Sequence, residues 1–446
     1  MTVSAARAAA FEVLLRVEKE DAYASELLHA SRFDHLSRVD HALLTELVMG
    51  VLRWRATLDA ALAQLTAQPL RKFDAEVLIA LRMGAYQLLY LDRIPARAAV
   101  HESVELVRQA RKASAVPLVN AVLRRLTKPA QKAAEEREGS AEERAVHFSH
   151  PEWMVERWVT QFGSEKTALI CETNQQVPQA AAHISAKTSV NLSRDGITLA
   201  PGKLLRSACR VASGEITHSS ALRDGGIVIQ DEGSQLVALL IGSATPPAMR
   251  ILDCCAAPGG KTLILAERNP EAAITAVELH PHRARVLEER LAQFKNVEVL
   301  TGDIRTLPLS DQFDRILVDA PCSGTGTLAH HPEIKWRLAP EAITRLQELQ
   351  VSILRSAMRH LASGGQLLYA TCSLEREENE DVVAQAMNRD AEEFHVLDLR
   401  ITIAELQKSG ELLWPDIESL LSGPFLRTVP GVHPCDGFFA ALVSRK

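Results

Sequence analysis

The chain has 446 residues, 47% of them hydrophobic and 4% aromatic, with a formal net charge of −6. It is too long for one ordinary core and too acidic for a uniformly basic nucleic-acid binder. Its seven cysteines, at 171, 209, 254, 255, 322, 372 and 435, lack disulfide-framework or zinc spacing, which fits reduced thiols in a cytoplasm. Met1–Glu20 does not read as a secretory signal. No charge-free apolar run approaches the roughly 20 residues needed to cross a bilayer, so no membrane partner is expected.

The first 128 residues carry 18 Lys+Arg against 14 Asp+Glu, a locally basic surface on an acidic protein. Leu44, Leu47, Val48, Val51, Leu58, Leu62 and Leu65 recur at helical spacing as one apolar stripe. Phe73–Leu91, Ala96–Ala110 and Leu118–Leu126 read likewise, which predicts a helical bundle over 1–130. Residues 131–145, rich in Ala, Glu, Lys and Arg, read as a solvated linker. Residues 146–235 form a small α/β subdomain, with a short helix Glu152–Phe162 and strand-like stretches Ala180–Leu192 and Gly226–Ile229.

From 236 to 446 strands and helices alternate, as in a doubly wound α/β sheet, with strands at Ile251–Cys254, Ile274–Leu279, Val297–Leu300, Arg315–Asp319 and Gly365–Thr371. The first strand runs into Cys255-Ala256-Ala257-Pro258-Gly259-Gly260-Lys261, a turn at which glycines let a ligand approach a helix N-terminus. Gly-x-Gly-x-x-Gly is missing, which disfavours a nicotinamide enzyme. Asp253, Glu278 and Asp303 follow one another at intervals of 25 residues and fall at successive strand ends. There Glu278 is placed for ribose hydroxyls and Asp303 for a purine amino group, so a nucleoside-bearing cofactor is expected.

Downstream, Asp319-Ala320-Pro321-Cys322-Ser323-Gly324-Thr325-Gly326 and Thr371-Cys372-Ser373 resemble motifs IV and VI of the NOL1/NOP2/Sun family of S-adenosylmethionine-dependent RNA cytosine-5 methyltransferases. Asp253–Lys261 resembles motif I of that family, and Asp436-Gly437-Phe438-Phe439 resembles its final strand. The resemblance implies a Rossmann-like class I methyltransferase sheet, with S-adenosylmethionine held by residues 255–261, Glu278, Asp303 and Asp319. It also implies Cys372 as nucleophile, Cys322 as the thiol that aids release, and Asp319 and Lys261 at the base.

The chemistry agrees, because carbon 5 of cytosine becomes nucleophilic only after a thiolate adds to carbon 6. A helix expected to begin near Leu374 would favour the Cys372 thiolate, whereas Glu375, Glu377, Glu378 and Glu380 would oppose it. Cys171, Cys209, Cys254 and Cys435 read as buried small hydrophobes.

Leu43–Arg55 and Asn120–Leu126 resemble the NusB-like RNA-binding domain fused to bacterial small-subunit rRNA methyltransferases of this family. Arg108, Arg111, Lys112, Arg124, Arg125 and Lys128 are its candidate phosphate contacts. The expected partner is 16S rRNA not yet packed into the finished subunit, bound by a monomer. A transfer-RNA cytosine-5 methyltransferase and a non-catalytic rRNA-binding assembly factor are the alternatives.

Overall fold

The computed structural model describes residues 3–20, 22–28, 30–126, 147–185, 195–214, 216–242, 249–309, 312–388 and 392–446. The expected linker 131–145, Lys128 and residues 187–191 lie outside them. Two compact units emerge: Met1–Val177 with Leu328–Arg337, and Pro178–Thr327 with Leu338–Lys446.

The first unit is helical: α1 (Ala5–Glu20), α2 (Ala24–Leu28), α3 (Arg38–Arg53), α4 (Arg55–Ala63), α5 (Ala75–Tyr90), α6 (Ala96–Gln109), α7 (Val116–Arg125) and α8 (Glu152–Asn174). Ser37 starts α3 by accepting a hydrogen bond from the Asp40 amide. The predicted stripe is buried at Leu44, Leu47, Val48, Val51, Leu58 and Leu62, but two helices supply it. Trp54 interrupts the run with non-helical backbone and stacks on Tyr90, with ring centroids 4.8 Å apart.

The helix expected at Glu152–Phe162 continues to Asn174 beyond a break at Gly163, where φ is 79°. A break of this kind suits glycine, which reaches positive φ without a Cβ clash. Met154, Val155 and Trp158 of α8 are buried, and the helix belongs to the first unit. The two compact units meet along the chain at 177.

Leu328–Arg337 completes the first unit. Lys335 is buried and donates to the carbonyls of Arg53 and Ser149, both at 2.8 Å. Trp336 Nε1 donates to Leu52 O, and Glu333 Oε1 accepts from the Ala24 amide. Burial holds the Lys335 amine well below its ordinary pKa, and these carbonyls meet its donors.

The second unit opens with a small antiparallel sheet in the order β2-β3-β1-β4, made of β1 (Ala181–Ile184), β2 (Thr198–Pro201), β3 (Ala208–Ser213) and β4 (Ile227–Ile229). Helix α9 (Glu232–Leu240) follows. The larger sheet has the order β11-β12-β13-β9-β8-β5-β6-β7, with β10 also paired to β13. Its parallel strands are β5 (Arg250–Asp253), β6 (Ala273–Glu278), β7 (Val297–Thr301), β8 (Phe313–Asp319) and β9 (Leu361–Thr371). The antiparallel margin is β10 (Phe394–Leu397), β11 (Leu421–Ser422), β12 (Phe425–Arg427) and β13 (Phe439–Arg445).

Asp436–Phe438, expected within the final strand, form the loop before it. Leu367 and Tyr369 of β9 join one core while Leu368 and Ala370 join the other. Burial on both faces explains the unbroken apolar run of that strand. The small sheet is tied to the larger one by His183 Nε2 and Glu267 Oε2 at 2.7 Å, Glu267 standing on α10 (Gly260–Arg268).

His150 is buried, with Nδ1 on the Phe148 carbonyl and Nε2 facing the Asn174 amide. Burial, aided by the Lys335 charge, lowers its pKa well below 6.5. Below about pH 6.5 the unfolded chain therefore binds a proton that the folded chain refuses, and stability falls with pH. Urea midpoints at pH 7 and pH 5 should show a smaller acid loss for His150→Gln than for the unsubstituted protein; equal losses would remove His150 as the cause.

Candidate active site at the carboxyl ends of the parallel strands

Register decides which residues meet. Asp253 on β5 lies opposite Ala276 of β6 and Leu317 of β8, so Glu278 and Asp319 each stand two residues further along. Asp319 lies opposite Ala370 of β9, and Thr371 lies opposite Phe439 of β13. Residues 254–260, Glu278, Cys322 and Cys372 therefore emerge at one edge of the sheet. In open α/β sheets that edge holds the ligand, at the point where strand order reverses around β5.

The loop after β5 turns at Gly259, whose φ is 100°, and α10 begins at Gly260. A Cβ on Gly259 would sit 2.7 Å from Leu287 Cδ1, and one on Gly260 would sit 2.9 Å from Gln230 Oε1. Beneath the loop, Asp253 Oδ2 accepts from Thr262 Oγ1 at 2.8 Å. Its buried Oδ1 makes no hydrogen bond among the described residues. Burial pushes the Asp253 carboxyl up to about 7 against the pull of Thr262. Glu278 is buried and accepts from the His280 amide at 2.9 Å. Asp303 follows β7 and is held by Arg305 through Nε and Nη2, a pairing that lowers its pKa.

Cys322 Sγ and Cys372 Sγ lie 3.3 Å apart. Lys261 Nζ donates to Asp319 Oδ2 at 2.7 Å and stands 5.4 Å from the Phe438 ring centroid. Burial opposes the Lys261 charge, yet Asp319 and the Cys372 sulfur leave its pKa above the ordinary value. For Cys322 the hydrogen bond with Cys372, then burial, push the thiol well up.

The helix expected near Leu374 is displaced: a 3-10 turn occupies Arg376–Glu378 and α13 (Glu380–Met387) begins only at Glu380, after α11 (Pro281–Leu291) and α12 (Pro340–Arg359). Backbone groups after Cys372 instead meet side chains. The Leu374 amide donates to Thr325 Oγ1 at 2.9 Å, and Asn379 Nδ2 donates to Ser373 O at 2.9 Å. Two of the expected opposing acids are engaged: Arg427 Nη2 meets both oxygens of Glu380 at 2.7 Å, and Glu378 is buried among donors. Ser323, Ser373 and Gln350 behind the cysteines have no role assigned from the sequence, and Glu378 is expected there only as an opposing charge. The repeated Cys-Ser pairs at 322–323 and 372–373 are the signal for two of them.

Gly326 seals this region: its amide donates to Cys372 O and its carbonyl accepts from Gly437 N, both at 2.9 Å. Among the expected basic contacts, Arg108 pairs with Glu105 and Lys112 with Asp74. Arg111 adopts φ 60°, and Arg124 and Arg125 are exposed. Arg124 lines a groove of about 1050 Å³ in the first unit together with Arg97, His101 and Asn120. The buried reading holds for Cys171 and Cys254, whereas Cys209 and Cys435 are partly exposed.

Residues 244–444 match the family described as 16S rRNA methyltransferase RsmB/F, and residues 4–128 match the NusB family. A Bacillus subtilis protein named "Probable ribosomal RNA small subunit methyltransferase B" is 31% identical across the full length of both chains. The ribosomal RNA small subunit methyltransferase B of Serratia proteamaculans is 33% identical, covering 90% of this chain and 89% of its own. The crystal structure of PH0851 covers both chains fully at 22% identity with a TM-score of 0.79, the same fold.

A Cβ on Gly326 would fall 2.1 Å from Gly437 O. Gly326→Ala must therefore move the strand-end loops, at an expected cost of about 1–3 kcal/mol. An unchanged urea midpoint would show that the contact relaxes freely.

Proposed function

The chain belongs to the 16S rRNA methyltransferase family RsmB/F, and we propose that it methylates carbon 5 of a cytosine in 16S rRNA through a covalent adduct of Cys372. Its cofactor, S-adenosylmethionine, when bound supplies an electrophilic methyl group on a sulfonium. The residues present fit such a group. Buried Asp253 Oδ1 makes no hydrogen bond among the described residues, Gly259 and Gly260 leave the loop free of side chains, and the strand-end carboxylates suit a cation rich in donors. Residues 255–261 would cradle it, with Glu278 at the ribose hydroxyls, Asp303 at the purine amino group and Asp319 beside the reacting end.

The observation that carries this reading is the 3.3 Å approach of two thiols beside the Lys261–Asp319 pair. The Cys372 thiolate adds to carbon 6 of the cytosine, and the electron pair of the ring double bond moves toward carbon 5. Lys261 favours the charged sulfur electrostatically. Asp319 accepts from the amino edge of the base and holds the ring in place over the sulfur, beside the Lys261 ammonium. After methylation the carbon-5 proton leaves to a base, the double bond re-forms, and the sulfur–carbon bond breaks with its pair returning to Cys372. Cys322, at hydrogen-bond distance from Cys372, supplies a proton to the departing sulfur.

A base must leave its stack to reach this crevice, so rRNA not yet packed into the subunit is the fitting substrate. A monomer would bind it, with Arg124 and the groove beside it contacting phosphate. The described residues contain no helix long and apolar enough to cross a membrane, and the work is assigned to the cytoplasm, where rRNA is made.

Incubation with labelled S-adenosylmethionine and an unmodified 16S transcript should label cytosine at carbon 5. Label on transfer RNA alone, or cofactor binding without any label, would replace this reading. Cys372→Ser should lower turnover by roughly a thousandfold or more while sparing cofactor affinity, and substantial residual turnover would move the nucleophile elsewhere. Cys322→Ala should accumulate a denaturation-resistant protein–RNA band; normal turnover without that band would remove Cys322 from the reaction. For Glu278→Ala the expected change is weaker cofactor binding by about 1.5–3 kcal/mol, as for a lost charged hydrogen bond. Unchanged affinity in calorimetry would contradict the ribose assignment.

A further inference from the structure

Glu378 follows Cys372 by six residues and is fully buried. Its Oε1 accepts from the Ser323 amide at 2.8 Å and from Gln350 Nε2 at 2.9 Å. Its Oε2 accepts from the Ser323 hydroxyl and, at 2.5 Å, from the Ser373 hydroxyl. Ser323 and Ser373 directly follow the two cysteines. Gln350 on α12 also donates to the carbonyl of Pro321, the residue before Cys322. The Glu378 carbonyl accepts from Tyr369 Oη on β9 at 2.6 Å. One carboxylate therefore gathers donors from both sulfur-bearing turns and is anchored to the strand and helix behind them.

Resting on the two-thiol reading above, we propose that Glu378 is a positioning residue whose carboxylate sets the 3.3 Å separation of the sulfurs by holding the Cys322-Ser323 and Cys372-Ser373 turns to one anchor. Four donors on one carboxylate satisfy its acceptor sites and fix both hydroxyls in direction, as charge-assisted bonds do. Without it, the two turns would be joined by the longer Ser323–Ser373 contact at 3.0 Å, by Thr325 Oγ1 accepting from the Leu374 amide at 2.9 Å, and by the Gly326 amide donating to Cys372 O. The charges are graded along the same line. Beside Cys372 stands the Lys261 ammonium, and behind Cys322 stands Glu378, whose charge adds to the Cys372 hydrogen bond and burial in keeping that thiol protonated. One sulfur is thus suited to attack and the other to donate a proton.

The test is Glu378→Gln in the full chain, read in two ways. Without RNA or cofactor, diamide takes two electrons and two protons from the thiol pair as the sulfur–sulfur bond forms, and peptide mass spectrometry follows the Cys322–Cys372 disulfide. With an unmodified 16S transcript, steady-state methylation gives kcat. The unsubstituted protein should oxidise readily. In Glu378→Gln the loss of the carboxylate charge eases ionisation of Cys322, which by itself would speed oxidation. Separation of the sulfurs should outweigh it, so the disulfide should form about tenfold more slowly, and kcat should fall roughly tenfold to a hundredfold, the scale of a small misplacement of reacting groups. Affinity for S-adenosylmethionine should stay within about twofold, as expected where only the chemical step is touched.

Unsubstituted oxidation and turnover in folded Glu378→Gln would overturn the proposal, and so would parallel loss of turnover and cofactor binding, the mark of a merely structural role. Slowed oxidation with full methylation would support the positioning and sink the two-thiol chemistry instead. If circular dichroism shows Glu378→Gln unfolded, the double variant Ser323→Ala/Ser373→Ala keeps the carboxylate and removes its two hydroxyl donors. It should show both defects, and lacking them would overturn the proposal equally.

Discussion

Everything at the candidate site depends on β8 and β9 being parallel neighbours in one register. Asp319 faces Ala370, so the chain leaves both strands at the same level. Fifty residues separate Cys322 from Cys372 in sequence, yet three residues past one strand and one past the other bring their sulfurs to 3.3 Å. A slip of one residue in that pairing would turn alternate side chains of β9 to the wrong core, exchanging Leu367 and Tyr369 for Leu368 and Ala370. Hydrophobic burial on two faces thus brings the two sulfur-bearing turns to one level, where their side chains can meet.

Around the sulfurs, burial makes every charge consequential. Lys261 keeps its proton because Asp319 lies 2.7 Å away. Asp253, buried against the Thr262 hydroxyl, has a carboxyl raised to about 7. The same desolvation acts on both, and the difference is the partner. Glu380 has Arg427, Asp303 has Arg305, and Glu378 has hydroxyl and amide donors in place of a cation. Two of the acids that crowd the sequence after Cys372, Glu378 and Glu380, are in this way committed to donors, so a simple sum of charges does not describe the field at the thiol.

The helical unit shows the same rule with the sign reversed. Lys335 is buried on two backbone carbonyls, and His150 is held neutral by burial among Phe148, Asn174 and Trp158. Such groups specify one arrangement of the surrounding turns, because their donors find acceptors only there.

By itself the sequence determined the element types and the chemistry of the loops. Helical periodicity marked the bundle, alternation marked the parallel strands to within a few residues, and the Pro-Gly-Gly turn and two Cys-Ser motifs marked the strand ends. These are local signals, carried by residues within a turn or a strand of one another. What lay beyond them was decided by tertiary packing: the division of the stripe at Trp54, the assignment of α8 and of Leu328–Arg337 to the first unit, and the absence of a helix at Leu374. The engagement of Glu378 with serines on two separate turns belongs there too. Each depends on which distant groups share a buried volume, and burial is a property of the folded chain that spacing along the sequence does not encode.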